Sequence, residues 1–258
     1  MVLRMSYPKT KIILVSLLLL LVAFPVGAQE TIKIGLITPL TGPVSTYGIS
    51  VRNSVVMGVD QINSSGGIQG KAIELVILDD KGDATEAAQA ARRLIDREKV
   101  VLIIGPVITP AVMAVAPICQ AQGIPMITPT GTGDQITSLG DYIFRAAYKD
   151  SFQGSLMAQF AIENLGITEA AIIYDIANDY SVGLRAAFKA TFQNLGGKII
   201  AEESYSTGDT DFSAQLTSLA MRNPKALFIP DYYSAAGPIL MQARLMGMDA
   251  IMLGVDGW

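Results

Sequence analysis

Histidine is missing from all 258 residues. Its absence excludes a Ser-His-Asp triad, a Cys-His pair and any zinc site built on imidazole. The commonest acid–base residue of enzymes is gone with it. Cysteine occurs once, at Cys119, so no internal disulfide can form and the fold must rest on its core; half of the residues are apolar. Basic clusters are also lacking. The chain holds 19 basic and 23 acidic residues, and a protein that neutralises phosphates needs a concentrated positive patch. Nucleic acid is therefore excluded as a partner. Neither a GxxxxGK[ST] phosphate loop nor a GxSxG elbow occurs. Gly131 and Gly133 supply two glycines of a dinucleotide fingerprint, but Ile136 stands where the third belongs. These absences argue against an enzyme: no catalytic residue, cofactor or metal is expected.

Only one long apolar run is present. Arg4, Lys9 and Lys11 precede the uncharged stretch from Ile12 to Phe24, and Val26-Gly27-Ala28 offers small residues for cleavage. Basic, apolar and small, in that order, make a secretory signal peptide over residues 1–28. The run is shorter than the roughly 20 residues of a spanning helix and stops at Pro25. Lipid attachment at the cut site would need a cysteine there. Removing the leader takes away three basic residues and no acidic ones, which leaves 16 against 23.

Past residue 28, strand and helix patterns alternate. Thr31–Ile37 reads as the first strand and Val51, Val55, Val59 and Ile62 as one helical stripe. Ile73–Leu78 follows as a strand, then Asp83 with Glu86 as a capping box, before a helix that buries Ala87, Ala91, Leu94 and Ile95. Val100–Ile104 is a continuous apolar run, as strands covered on both faces are. A helix over about 110–121, a strand at Pro125–Thr128 and another at Tyr142–Arg145 complete this series. A second series starts at Asp150. Its helical stripes are Phe152/Leu156/Phe160, Leu184/Phe188/Phe192, Phe212/Leu216/Leu219 and Ile239/Ala243/Met246; its strands are Ala170–Tyr174, Lys198–Glu203, Ala226–Ile229 and Ile251–Leu253. Such alternation implies parallel sheets with right-handed crossovers. The fold class is therefore α/β, with two Rossmann-like lobes, an N-terminal one over 29–148 and a C-terminal one over 149–258. The last strand has no helix after it, so the chain reads as a fragment.

In parallel sheets, ligands bind outside the carboxyl ends of the strands. After the Val100–Ile104 strand, Thr109-Pro110 reads as N-cap and first helical residue. Free amides and the helix dipole there form an anion site, or else the pair is a plain cap. After the next strand, Thr128-Pro129-Thr130-Gly131-Thr132-Gly133 could cradle a small polar ligand or be a solvated loop. Tyr47, Tyr180 and Tyr232 occupy comparable loops, each an apolar wall with a polar tip. Asp256 follows the last strand and could pair with an ammonium group or serve a turn before Gly257.

Several longer stretches carry a resemblance. Residues 34–48 (IGLITPLTGPVSTYG), 60–70 (DQINSSGGIQG), Asp79-Asp80, 123–129 (GIPMITP), Asp211-Phe212-Ser213, Gln242-Ala243-Arg244 and 254–257 (GVDG) together resemble the leucine/isoleucine/valine-binding proteins. These are periplasmic receptors of ABC importers with the type 1 periplasmic binding fold, two lobes hinged around the ligand. The resemblance runs from Thr31 to the end. It implies capture of a branched-chain or related amino acid, a membrane permease as partner, a monomer, and a place in the periplasm or on the outer face of the cytoplasmic membrane. It further implies that the return of the chain to the first lobe is missing. By position, Thr109 and Thr132 would hold the α-carboxylate, and the Thr130 carbonyl and the Asp256 carboxylate the α-ammonium. Tyr180 and Tyr232 would close over the ligand, and Tyr47 would touch its side chain. The family often has serine at Thr109 and glutamate at Asp256. Other members take amides, urea-like ligands or aromatic acids. The same cleft could also serve a ligand-sensing receptor module.

Overall fold

The computed structural model describes residues 30–258. The expected leader, residues 1–28, lies outside the described residues. Nine strands and seven α-helices alternate from there on. The first series runs β1 (Ile32–Thr38), α1 (Ser45–Ser64), β2 (Ile73–Asp79), α2 (Ala84–Arg93), β3 (Leu102–Ile104), α3 (Thr109–Gln122), β4 (Met126–Thr128) and β5 (Ile143–Arg145). The second runs α4 (Asp150–Gln159), β6 (Glu169–Asp175), α5 (Asp179–Asn194), β7 (Lys198–Tyr205), α6 (Ser213–Ala220), β8 (Ala226–Phe228), α7 (Tyr233–Leu245) and β9 (Ile251–Leu253). Both α2 and α4 continue into a single wider turn, Leu94–Glu98 and Phe160–Asn164.

Two parallel sheets result. The first has the order β2-β1-β3-β4-β5 and the second β7-β6-β8-β9. In the first, Ile34 pairs with Leu75 on one side and Leu102 on the other; in the second, Ala170 pairs with Ile199 and Ala226. Strands covered on both faces lose all contact with water, which is why β6 and β8 read as unbroken apolar runs. Ala170–Ile173 and Ala226–Phe228 are fully buried. The first core gathers Leu94, Ile103, Val112, Val115 and Met126. The second sheet carries a core on each face, one around Phe212 and Leu216, the other around Phe188, Phe192 and Phe228.

Local chemistry accounts for several boundaries. The Asp83 carboxylate accepts the backbone N–H groups of Thr85 and Glu86 at 2.8 and 2.9 Å, half of the expected capping box. Glu86 turns to Lys81 instead, at 3.2 Å. At α3 the cap residue is Ile108, and Thr109 is already helical. The expected N-cap is thus off by one position, because the Thr109 hydroxyl accepts from Gly133 N–H at 3.3 Å rather than from its own helix.

One stripe departs from expectation. Phe152, Leu156 and Phe160 are 59%, 52% and 44% exposed. The face of α4 that packs on α5 is made of small residues. A Cβ on Gly154 would stand 2.9 Å from the Ala187 Cβ and 3.0 Å from the Leu184 carbonyl. Close helix approach selects glycine and alanine, here Gly154, Ala158 and Ala161, and the large residues fall on the outer side. The α1 stripe, likewise, is not sunk in a core: Val51, Val55 and Val59 are half-buried and Ile62 is exposed.

Candidate functional site

Strand order reverses twice in this chain, between β1 and β3 in the first sheet and between β6 and β8 in the second. Crevices open at such points, outside the carboxyl ends of the strands. The loops and helix starts that follow β1, β3, β4, β6, β8 and β9 meet there and enclose a cavity of about 240 Å³. That lies just under the roughly 300–1,000 Å³ of pockets for drug-sized ligands. Tyr47, Thr109, Thr130, Thr132, Tyr180, Tyr232 and Asp256 all line it. Wider grooves run beside α4 (about 570 Å³) and along α2 (about 620 Å³), but neither collects groups from both sheets. A further cavity of about 410 Å³ lies beyond Tyr232. Its acidic lip is already satisfied: Asp175 accepts from Ala177 N–H and the Thr207 hydroxyl, and Asp231 from Tyr232 N–H and the Tyr205 hydroxyl.

The wall from the first sheet is rich in donors. The α3 N-terminus carries no side-chain cap, and Ile108 and the buried Thr109 bring this positive end of the helix dipole to the cavity wall. The loop after β4 is anchored rather than solvated. The Thr128 hydroxyl donates to the Pro106 carbonyl at 2.7 Å and accepts from Gly131 N–H at 2.9 Å. The Thr130 hydroxyl donates to the Val107 carbonyl at 2.6 Å. Thr132 is buried.

The wall from the second sheet is aromatic and acidic. Tyr180 and Tyr232 stack with ring centroids 4.6 Å apart and planes 5° from parallel. The Tyr180 hydroxyl donates to Asp256 Oδ1 at 2.6 Å and accepts from Gly257 N–H at 3.1 Å. A Cβ at Gly257 would come within 2.7 Å of that hydroxyl and 2.8 Å of the Asp231 carbonyl, so only glycine fits there. Burial, reinforced by the Asp256 charge, raises the Tyr180 phenol far above its ordinary range, and burial does the same to Tyr232. Both stay neutral donors. The Tyr232 hydroxyl is buried with no hydrogen-bond partner among the described residues; the Thr109 backbone N–H faces it without closing a bond.

The walls touch. Tyr47 lies in the first turn of α1, not in the loop before it. Its hydroxyl donates to the Gly257 carbonyl, and burial pushes its phenol up to about 12. Its ring meets those of Tyr232 and Tyr233 edge-on, at 6.2 and 5.0 Å. The Tyr233 hydroxyl donates to Thr46 Oγ1 at 3.2 Å.

Sequence reasoning missed Asp150, Gln153, Tyr233 and Gly257. Asp150 is 1% exposed beside Thr132, and burial pushes its carboxyl up to about 6. A first-turn aspartate reads from sequence only as a partner of the helix dipole, so nothing marked it. Among the described residues, no group of three or more His, Cys, Asp or Glu is placed to hold a metal, and no helix is long and apolar enough to cross a membrane.

The family described as periplasmic binding protein matches residues 31–258. The chain belongs to that family. It is 32% identical over 237 residues to the Leu/Ile/Val-binding protein homolog 3 of Brucella melitensis, a match over 92% of this chain and 64% of that protein. It superposes on the branched-chain amino acid transporter substrate binding protein LivJ of Streptococcus pneumoniae, solved with isoleucine, with a TM-score of 0.83 and 36% identity over 88% of this chain and 65% of that one. A solute binding protein of an ABC transporter from Rhodopseudomonas palustris, solved with 3,4-dihydroxybenzoic acid, gives a TM-score of 0.78 at 27% identity, covering 87% of this chain and 61% of that one. This periplasmic binding protein thus spans less than two thirds of the length of each of these relatives. Its α/β fold of two parallel sheets is that of the type 1 members.

Proposed function

We propose that this chain captures a free amino acid, branched-chain or closely related, between two lobes that divide at residues 148/149, and hands it to the membrane permease of an ABC importer. The observation that carries this is the 240 Å³ cavity between the sheets, with helix-end amides and Thr109 and Thr132 on one wall and the Asp256 carboxylate on the other. A zwitterion needs donors at one end and an acceptor at the other, which this pair of walls offers. In this reading Thr109 and Thr132 hold the carboxylate, assisted by Tyr232. The Thr130 carbonyl and Asp256 hold the ammonium, and Tyr47 touches the side chain. Closure excludes water and strengthens each charged contact. The chain works by binding and release, not turnover, outside the cytoplasmic membrane and as a monomer. The isoleucine held by the pneumococcal relative supports the ligand class.

A second reading has its own observation. Three tyrosine rings line the cavity, two of them stacked, and the Rhodopseudomonas relative holds an aromatic acid. One titration panel separates the two. Isoleucine, leucine, valine, alanine and threonine are compared with benzoate, hydroxybenzoates and short amides by isothermal calorimetry. Amino-acid binding without benzoate binding supports the first reading; the reverse establishes the second. Binding of neither ends both.

A further inference from the structure

We propose that Asp150 and Gln153 are positioning residues that fix the distance between Thr132 and Asp256, and with it the spacing of the two charged groups a ligand must present. The inference rests on the amino-acid reading above. Neither residue lines the cavity. Both lie in the first turn of α4, the helix between the two sheets, and both are buried, at 1% and 8% exposure. Asp150 N–H donates to the Thr132 carbonyl at 3.0 Å, and the Thr132 side chain lies near enough to the Asp150 carboxylate to oppose the effect of its burial. Gln153 Nε2 donates to Asp150 Oδ1 at 3.0 Å, and Gln153 Oε1 accepts Asp256 N–H at 3.3 Å. The series continues through the Asp256 carboxylate to the Tyr180 hydroxyl. One unbroken chain of bonds therefore runs behind the cavity, from the carboxylate-binding threonine to the ammonium-binding aspartate.

The cost of the arrangement argues for a purpose beyond packing. A buried carboxylate is unfavourable unless fully bonded, and Asp150 Oδ2 has no hydrogen-bond partner among the described residues. It lies against α5, where a Cβ on Gly183 would stand 3.6 Å away. Asp150 is thus boxed between Thr132 and α5 and has no room to drift. An apolar pair would hold α4 on α5 at lower cost but would leave Thr132 and Asp256 unconnected.

The test compares an α-amino acid with its β- and γ-isomers of equal carbon count, titrated into the unsubstituted chain, Asp150→Asn and Gln153→Leu. Positioning predicts that both variants lose tenfold or more for the α-isomer and clearly less for the β-isomer, so the α-to-β preference falls at least fivefold. Equal losses for all isomers would mean general loosening and overturn the proposal. In parallel, amide hydrogen exchange on the unliganded chain should show the Asp256 N–H losing protection in Gln153→Leu while the core strands β6 and β8 keep theirs. If the unsubstituted chain binds no isomer, the amino-acid reading fails; the exchange result still reads the tie, and unchanged protection at Asp256 refutes it.

Discussion

Replacing Tyr232 by phenylalanine removes one oxygen atom and should move stability and affinity in opposite directions. The ring packs against the first core and one face of the second and stacks on Tyr180 at 4.6 Å, all of which phenylalanine preserves. Its hydroxyl is buried without a hydrogen-bond partner among the described residues. An unsatisfied buried hydroxyl costs about 1–3 kcal/mol, so Tyr232→Phe should stabilise the unliganded closed chain by about 1 kcal/mol. At this chain length that raises the melting midpoint by roughly 2–4 °C. On the proposed amino-acid reading the same hydroxyl donates to the ligand carboxylate, and a hydrogen bond to a charged group contributes about 1.5–3 kcal/mol. Its loss should weaken binding on the order of tenfold to a hundredfold. The assay is a thermal melt without ligand beside a calorimetric titration of the amino acid that binds best. A lower midpoint with unchanged affinity would refute the reasoning, since the hydroxyl would then serve the fold and not the ligand.

Three further outcomes follow from the geometry. Asp256→Asn should weaken amino-acid binding by at least tenfold, the scale of a charged hydrogen bond, and weaken binding of the corresponding uncharged amide far less; equal losses in competition titrations would remove Asp256 from the ammonium site. Burial pushes the carboxyls of Asp80, Asp150 and Asp231 up to about 6, so between about pH 4 and 6 the folded chain binds protons that the unfolded chain has released. Stability should therefore rise as pH falls from 7 to 5, by up to about 1.4 kcal/mol per pH unit for each group. Below about pH 4 it should fall as Glu202 protonates; burial would raise this carboxyl, but Lys189 and Arg185 hold it low. Urea midpoints of the unliganded chain that decline steadily from pH 7 to 5 would contradict this. Cys119 is 0% exposed and burial pushes its thiol up to about 12, so an alkylating reagent at pH 8 should leave the native chain unmodified and label it only in denaturant.

Much of the architecture was legible because local rules and tertiary packing agree. Val100–Ile104, Ala170–Tyr174 and Ala226–Ile229 are apolar without alternation, and each holds a strand; β6 and β8 are covered on both sides, whereas β3 starts two residues later, at Leu102, and is fully buried only at Ile103. Asp83 capped its helix as its side chain requires. Disagreement arose where a side chain had a choice of partners. Thr109 could have capped α3 but bonded across to Gly133. Phe152, Leu156 and Phe160 lie on one face of a helix, yet periodicity cannot say which face a neighbour will cover; Gly154 permits the closer approach and so decided it.

The candidate site divides in the same way. Residue types at strand ends, Tyr47, Thr109, Thr130, Thr132, Tyr180, Tyr232 and Asp256, could be picked from sequence because parallel sheets open at their carboxyl ends. The composition alone removed histidine and disulfide chemistry, the missing GxxxxGK[ST] motif removed the phosphate loop, and the order of apolar runs set two parallel sheets. That the seven residues share one 240 Å³ cavity, that Tyr232 keeps an unpartnered hydroxyl and that Asp150 and Gln153 join Thr132 to Asp256 was decided only in three dimensions. Periodicity encodes which face of an element is apolar. The distance between side chains some 100 residues apart depends on how helices such as α4 and α5 pack, and no local pattern carries that.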